Sequence, residues 1–100
     1  MKKKKLYISL PISGRELEEA KEYASKMKER LTFQGYEVIT PFEVCPDSEE
    51  PYSCLIGRCI EALIECDAAY FCIGWKHSKG CMAEFEVARI YGKEILIEAF

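Results

Sequence analysis

The sequence predicts a three-layer α/β domain with a short parallel sheet flanked by helices, and three observations predict it. Four apolar runs of strand length alternate with three helix-length stretches, the order that produces right-handed parallel crossovers. The run Ala68–Ile73 is continuously apolar, as expected for a strand covered on both faces. The chain has 100 residues, 49% hydrophobic and 31% charged, the size and composition of one globular domain. One domain over 1–100 is expected, with no repeat and no linker.

The first strand is predicted at Leu6–Ser9, a short apolar run after a lysine cluster. Ser13-Gly14-Arg15-Glu16 then reads as a capping box, with Ser13 at the N-cap and Glu16 three residues on. Leu17, Ala20, Ala24, Met27 and Leu31 recur at three- and four-residue spacing with charged residues between them, so an amphipathic helix follows. It should stop near Gly35, a natural residue just past a helix end. Tyr36–Thr40 is the second strand, ended by Pro41. Residues 41–52 hold three prolines and an acidic run, so a loop is expected there, long enough to be a lid.

A second helix is predicted over Ser53–Cys66, with Leu55, Ile56, Cys59, Ile60, Leu63 and Ile64 on its apolar side and Arg58, Glu61 and Glu65 on its wet one. After the third strand, Gly74–Gly80 reads as a polar loop, Cys81–Tyr91 as a third helix and Glu94–Ala99 as a last strand. The expected sheet order is 2-1-3-4, a flavodoxin-like or Rossmann-like arrangement. Its switch point lies between the first and third strands, and ligands bind there at the carboxyl ends of the strands. The loops Ser9–Gly14 and Gly74–Gly80 would face that crevice.

Composition narrows the partners. A formal net charge of -3 offers no general attraction to nucleic acid. The run Lys2–Lys5 reads as a solvated terminus. The following apolar stretch is too short for a secretion signal and carries Pro11, and nothing has the length of a membrane span. A cytoplasmic protein with reduced thiols is therefore expected. The six cysteines include no C-x-x-C pair and the chain has one histidine, so neither a disulfide framework nor a metal site is expected. Most of the cysteines fall among apolar residues and read as core.

One carboxylate does not fit its helix. Around the third helix Glu86, Arg89 and Lys93 share a solvated side, whereas Glu84 lies nearly opposite. Its neighbours three and four residues away are Gly80, Cys81, Val87 and Ala88, with Tyr91 two turns on, none of them basic. A carboxylate among apolar groups is costly unless something outside the helix satisfies it. Two readings stand: a carboxylate helped by the helix N-terminus, and a site residue at the crevice. Gly80 would let a ligand approach the backbone, Ser78 can cap the helix or bind a ligand, and Trp75 can stack on a base or pack into its loop. His77 reads as exposed loop.

Tyr7-Ile8-Ser9-Leu10-Pro11-Ile12-Ser13-Gly14, Cys66-Asp67-Ala68, and Ser78-Lys79-Gly80-Cys81-Met82-Ala83-Glu84 through Ala88 and Gly92-Lys93 together resemble the nucleoside 2-deoxyribosyltransferase superfamily. The likeness extends to its deoxynucleoside monophosphate N-glycosidases and is greatest to its small single-domain members. The resemblance implies cleavage of an N-glycosidic bond, by hydrolysis or by base exchange. It implies Glu84 as the nucleophile that captures the anomeric carbon, Ser78 at a 5′-phosphate, and Tyr7 and Gly14 lining the pocket, beside Ser9 and Gly80. It implies a nucleoside or nucleotide substrate, no cofactor, and a homodimer or higher oligomer. A last strand with no covering helix also points to self-association. Three positions depart from the superfamily pattern: Cys59 replaces a common aspartate, Leu10 a frequent glycine, and Glu86 a small residue. Cys59 keeps a second expectation open, a domain that binds a nucleotide or ribose derivative without turning it over.

Overall fold

The structure is a computed structural model that describes residues 3–12, 15–46 and 50–99. Its elements run β1 (Lys5–Ser9), α1 (Leu17–Phe33), β2 (Glu37–Ile39), α2 (Pro41–Val44), α3 (Tyr52–Glu65), β3 (Ala68–Phe71), a 3-10 turn (Trp75–His77), α4 (Lys79–Ile90) and β4 (Glu94–Ile97). The four strands form one parallel sheet in the order β2-β1-β3-β4, as the alternation of elements predicts. Its switch point is the β1/β3 pair, in which Ser9 lies opposite Phe71 at the carboxyl end.

Side chains alternate across the two central strands and so divide the core in two. Leu6, Ile8 and Leu10, with Ala68 and Cys72, pack on Ala20, Ala24, Met27 and Leu31 of α1. Tyr7, Ala69 and Phe71 pack on the other side, against Cys59 and Leu63 of α3 and Ala88 of α4. The apolar stripe predicted for α1 is the buried one, except that Leu17 at its first turn is 36% exposed.

Two helix ends explain how the chain turns back into the sheet. After α1, Gly35 N–H donates to Thr32 O at 3.0 Å and Tyr36 N–H to Leu31 O at 3.2 Å. After α4, Gly92 N–H donates to Arg89 O at 3.3 Å and Lys93 N–H to Ala88 O at 2.9 Å. Both are Schellman caps, and both need the left-handed backbone that Gly35 (φ 105°) and Gly92 (φ 68°) supply.

The start of α1 differs from expectation. Its N-cap is Glu16, which makes no side-chain capping bond, and Ser13 lies outside the described residues. The same Ser/Thr-x-x-Glu pattern recurs at Thr40–Glu43, and there the box closes: Glu43 N–H donates to Thr40 Oγ1 and Thr40 N–H to Glu43 Oε1, both at 3.3 Å. Pro41 pre-sets the first helical position, so α2 occupies part of the segment predicted as loop and lid. Lys28 of α1 donates to the same Glu43 Oε1 at 2.7 Å, which ties α2 to the body of the domain.

The second helix opens at Tyr52, one residue early, and the third at Lys79, because Ser78 caps it. The third and fourth strands end at Phe71 and Ile97, two residues short of their apolar runs, where pairing stops. All six cysteines are free; Cys59, Cys66, Cys72 and Cys81 are buried and Cys45 half-buried, whereas Cys54 is exposed on α3, against the core reading. Among the described residues no helix is long and apolar enough to cross a membrane.

Candidate active site

Strand β1 pairs with β2 as far as Tyr7 and with β3 through Ser9, which fixes the direction of its side chains at the carboxyl end. Tyr7 and Ser9, two residues apart, point to the same face, toward α3 and α4. Glu84 reaches that face from α4 and is 5% exposed. Tyr7 OH donates to Glu84 Oε2 at 2.7 Å and Ser9 Oγ to Glu84 Oε1 at 2.6 Å. Each carboxylate oxygen thus has one short hydroxyl donor, and among the described residues no lysine, arginine or histidine forms an ion pair with it.

Burial raises the Glu84 carboxyl above the ordinary glutamate range, and the hydrogen bonds from Ser9 and Tyr7 oppose that rise. Burial, and then the Glu84 charge, push the Tyr7 phenol well above its usual value, so Tyr7 stays a donor. The arrangement is a desolvated carboxylate oriented by two neutral hydroxyls, which suits attack on an electron-poor carbon.

Cys59 belongs to the same cluster as Tyr7. Burial in the first place, with the Glu84 charge adding to it, raises its thiol to about 12. Cys59 is therefore a neutral thiol beside the carboxylate. Ser78 caps α4, its Oγ accepting from Cys81 N–H at 3.3 Å. Gly80 lies one turn ahead of Glu84, and a Cβ there would meet Tyr52 OH at 3.0 Å and Ile56 Cδ1 at 3.5 Å. Trp75 is turned onto an aromatic cluster: it stacks on Phe85 at 4.5 Å between ring centroids and lies 5.5 Å from Phe71. Gly14 lies outside the described residues, and His77 is exposed. Of the residues singled out in the sequence, Tyr7, Ser9, Cys59, Gly80 and Glu84 thus come together, Ser78 stands at the head of the same helix, and Trp75 packs at the edge of the Tyr7 cluster, its ring on Phe71 and Phe85.

One residue of this neighbourhood escapes sequence reasoning. Tyr52, the first residue of α3, brings its hydroxyl to Gly80. Burial, then the charge of Glu84, raise its phenol. The only local signal is Pro51 before it, which fixes the start of α3 one residue earlier than the apolar periodicity does. Two surface depressions lie away from Glu84: one of about 220 Å³ bordered by Lys5, Val44, Arg58 and Glu61, and one of about 380 Å³ bordered by Lys21, Lys28 and Phe42.

The family model described as a domain of unknown function, DUF4406, matches residues 4–97, and the chain belongs to that family. No curated protein matches it. Among solved structures, a 2-deoxyribosyltransferase from the psychrotolerant bacterium Bacillus psychrosaccharolyticus superposes with a TM-score of 0.71 at 21% identity, over 93% of this chain and 70% of that one. A 2-deoxyribosyltransferase from Leishmania mexicana superposes with a TM-score of 0.72 at 18% identity, over 94% of this chain and 63% of that one, so the chain spans less than two thirds of the Leishmania protein. The fold is that of the nucleoside 2-deoxyribosyltransferases.

Proposed function

We propose that this member of the DUF4406 family acts on the N-glycosidic bond of a nucleoside or nucleotide, with Glu84 as the nucleophile. The observation that carries the reading is a buried carboxylate with no cationic partner among the described residues, held by Tyr7 and Ser9 at the carboxyl end of the central strand. Likeness of fold to two proteins named 2-deoxyribosyltransferases supports it.

In this mechanism a Glu84 oxygen attacks the anomeric carbon while the bond from that carbon to the base nitrogen breaks. The electron pair leaves with the base, which takes a proton from solvent, and a glycosyl ester of Glu84 remains. Water, losing a proton, then attacks the same carbon and frees the sugar and the carboxylate. A second base in place of water gives transfer instead. Tyr7 and Ser9 hold the carboxylate in one orientation and offset part of its desolvation. Because burial raises the Glu84 carboxyl, base release should rise with pH as Glu84 ionises, with its half-point above the ~4.3 of a free glutamate.

The test is incubation with a panel of deoxynucleosides, ribonucleosides and their 5′-monophosphates, with and without an added second base, followed by chromatography of free bases and products. Release that depends on Glu84 is expected. No release above a Glu84→Ala control on any substrate overturns the reading.

Cys59 favours a second reading, a domain that binds a nucleotide or ribose derivative without turnover. A neutral thiol with its pKa raised to about 12 offers no carboxylate with which to orient a sugar or assist base departure. Ligand-induced thermal stabilisation without base release would select it. A cytoplasmic location and self-association complete the proposal. Ile90 and Tyr91, at the α4–β4 connection, and Ile97, at the end of the edge strand β4, are all more than half exposed and support the latter. Sedimentation showing only an 11.5 kDa species at micromolar concentration would exclude the oligomer.

A further inference from the structure

Glu84 is nearly closed off from solvent, yet no single element covers it. Strand β1 lies on one side and α4 carries it. Among the described residues, the first turns of α3 and α4 meet beside it at Gly80. Side chains on a helix lean toward its N-terminus, so the Glu84 carboxylate lies over the turn that holds Gly80. Tyr52 OH stands 3.0 Å from where a Gly80 Cβ would be, and Ile56, one turn further along α3, stands 3.5 Å from it. Gly80 is helical in backbone conformation, so its use here is spatial: it leaves room for the phenol. The rest of Tyr52 is on the surface, the residue being 59% exposed.

We propose that Tyr52 is the outer wall of the Glu84 site: its phenol closes the gap between α3 and α4 in the free protein, and an incoming ligand must displace or contact it. The proposal rests on the functional reading only for the kind of ligand. Trp75, the aromatic residue that the sequence offers for stacking on a base, is spent on Phe85 and Phe71. Tyr52 is the aromatic ring that stands at the mouth with one end near Glu84 and the other in water. An exposed ring at the edge of a carboxylate site suits a planar, polar-edged ligand such as a nucleobase. The raised Tyr52 phenol, shifted first by burial and then by the Glu84 charge, accords with this placement.

The experiment reads access to Glu84 directly. Wild type, Tyr52→Phe, Tyr52→Ala and Gly80→Ala are treated with a water-soluble carbodiimide and glycinamide near pH 5.5, and modification of each carboxylate is mapped by peptide mass spectrometry. Glu98, half-buried beside Tyr23 on the other face of the sheet, serves as the internal control for general loosening. Glu84 should label about fivefold faster in Tyr52→Ala, more slowly than that but faster than wild type in Gly80→Ala, where the new methyl shifts the phenol slightly, and within about twofold of wild type in Tyr52→Phe, with Glu98 unchanged throughout. Equal Glu84 labelling in all four proteins overturns the proposal, as does acceleration matched at Glu98.

Calorimetry with deoxynucleosides in a Glu84→Gln background then separates wall from ligand. Affinity should fall about tenfold with Tyr52→Ala and little with Tyr52→Phe. Selective labelling with no nucleoside bound by any variant upholds the wall and counts against the nucleoside reading. Binding that ignores position 52, with labelling also indifferent to it, overturns the wall and leaves that reading intact.

Discussion

Leu6, Ile8 and Leu10 point from one side of β1 into α1, while Tyr7 and Ser9 point from the other side toward α3 and α4. Both faces are fully buried, and they are made by alternate residues of one short strand. Around Ile8 the α1 face is hydrocarbon against hydrocarbon, with the Tyr23–Glu98 hydrogen bond at its rim, so the packing at Ile8 itself neither gains nor loses with pH. The α4 face holds two hydroxyls and a carboxylate, each of which must find a partner or forfeit its hydration. The contrast teaches where a small domain can accommodate a reactive group. The α1 face supplies the stability, and the α4 face gives some of it up.

The largest expected effect falls on the hydrocarbon face. Ile8→Ala should destabilise the protein by about 2–5 kcal/mol, equally at pH 4 and pH 7.5, in urea melts. A loss that varies with pH would mean that the two faces are not independent.

Tyr7→Phe is the matching change one residue away. It removes the donor to Glu84 Oε2 and leaves the ring volume nearly intact. The cost should be about 1–3 kcal/mol at pH 7.5, where the carboxylate is charged, and less at pH 4. Base release should fall with it, and its pH profile should move further up. Ser9→Ala should behave alike at the other oxygen, costing about 1–2 kcal/mol at pH 7.5.

Glu84→Gln is smaller and opposite in sign. The folded-state pKa of Glu84 is raised, so the folded protein holds this proton more tightly than the unfolded chain. Its favourable contribution is complete below the unfolded pKa and is lost as pH rises through the folded one. The glutamine variant has no such loss and should be more stable than wild type at pH 7.5, and equal to it at pH 4, while releasing no base. A variant less stable at pH 7.5 but not at pH 4 would show that Glu84 is held as a structural anion. The smallest effect belongs to Glu86→Gln, which breaks a solvent-exposed ion pair with Arg89 and should leave the urea midpoint unchanged.

The parts legible in sequence were those carried by periodicity over many residues. Strand order followed from the alternation of elements, and Glu84 stood out because a charge on the wrong side of a helix needs no structure to be noticed. Local signals were less secure. Ser13-x-x-Glu16 and Thr40-x-x-Glu43 are the same pattern; Thr40 is the N-cap of a closed box, with Pro41 committing the backbone immediately after it, whereas α1 takes Glu16 as its N-cap. Ser9 is legible in sequence as a pocket residue through the resemblance, but its partner is not; its bond to Glu84 joins residues 75 apart in the chain. Tyr52 was missed for the same reason. Nothing near it in sequence speaks of Gly80, and its meaning arises where α3 and α4 converge. Trp75 shows the converse: a conspicuous residue type whose surroundings, Phe85 and Phe71, were not predictable from spacing.

The distribution of cysteines has a practical consequence. Burial pushes the thiols of Cys59, Cys66, Cys72 and Cys81 upward, so at neutral pH these sulfurs are shielded and protonated, and slow to react. Cys54 is exposed, on the first turn of α3 and two residues after Tyr52. A maleimide dye added briefly to the native chain should therefore mark Cys54 ahead of the other sulfurs. The unmutated protein already carries an attachment point for a fluorescent reporter beside the mouth of its own site, and an environment-sensitive dye there would signal occupancy as a change in brightness, without any need for the ligand to be consumed.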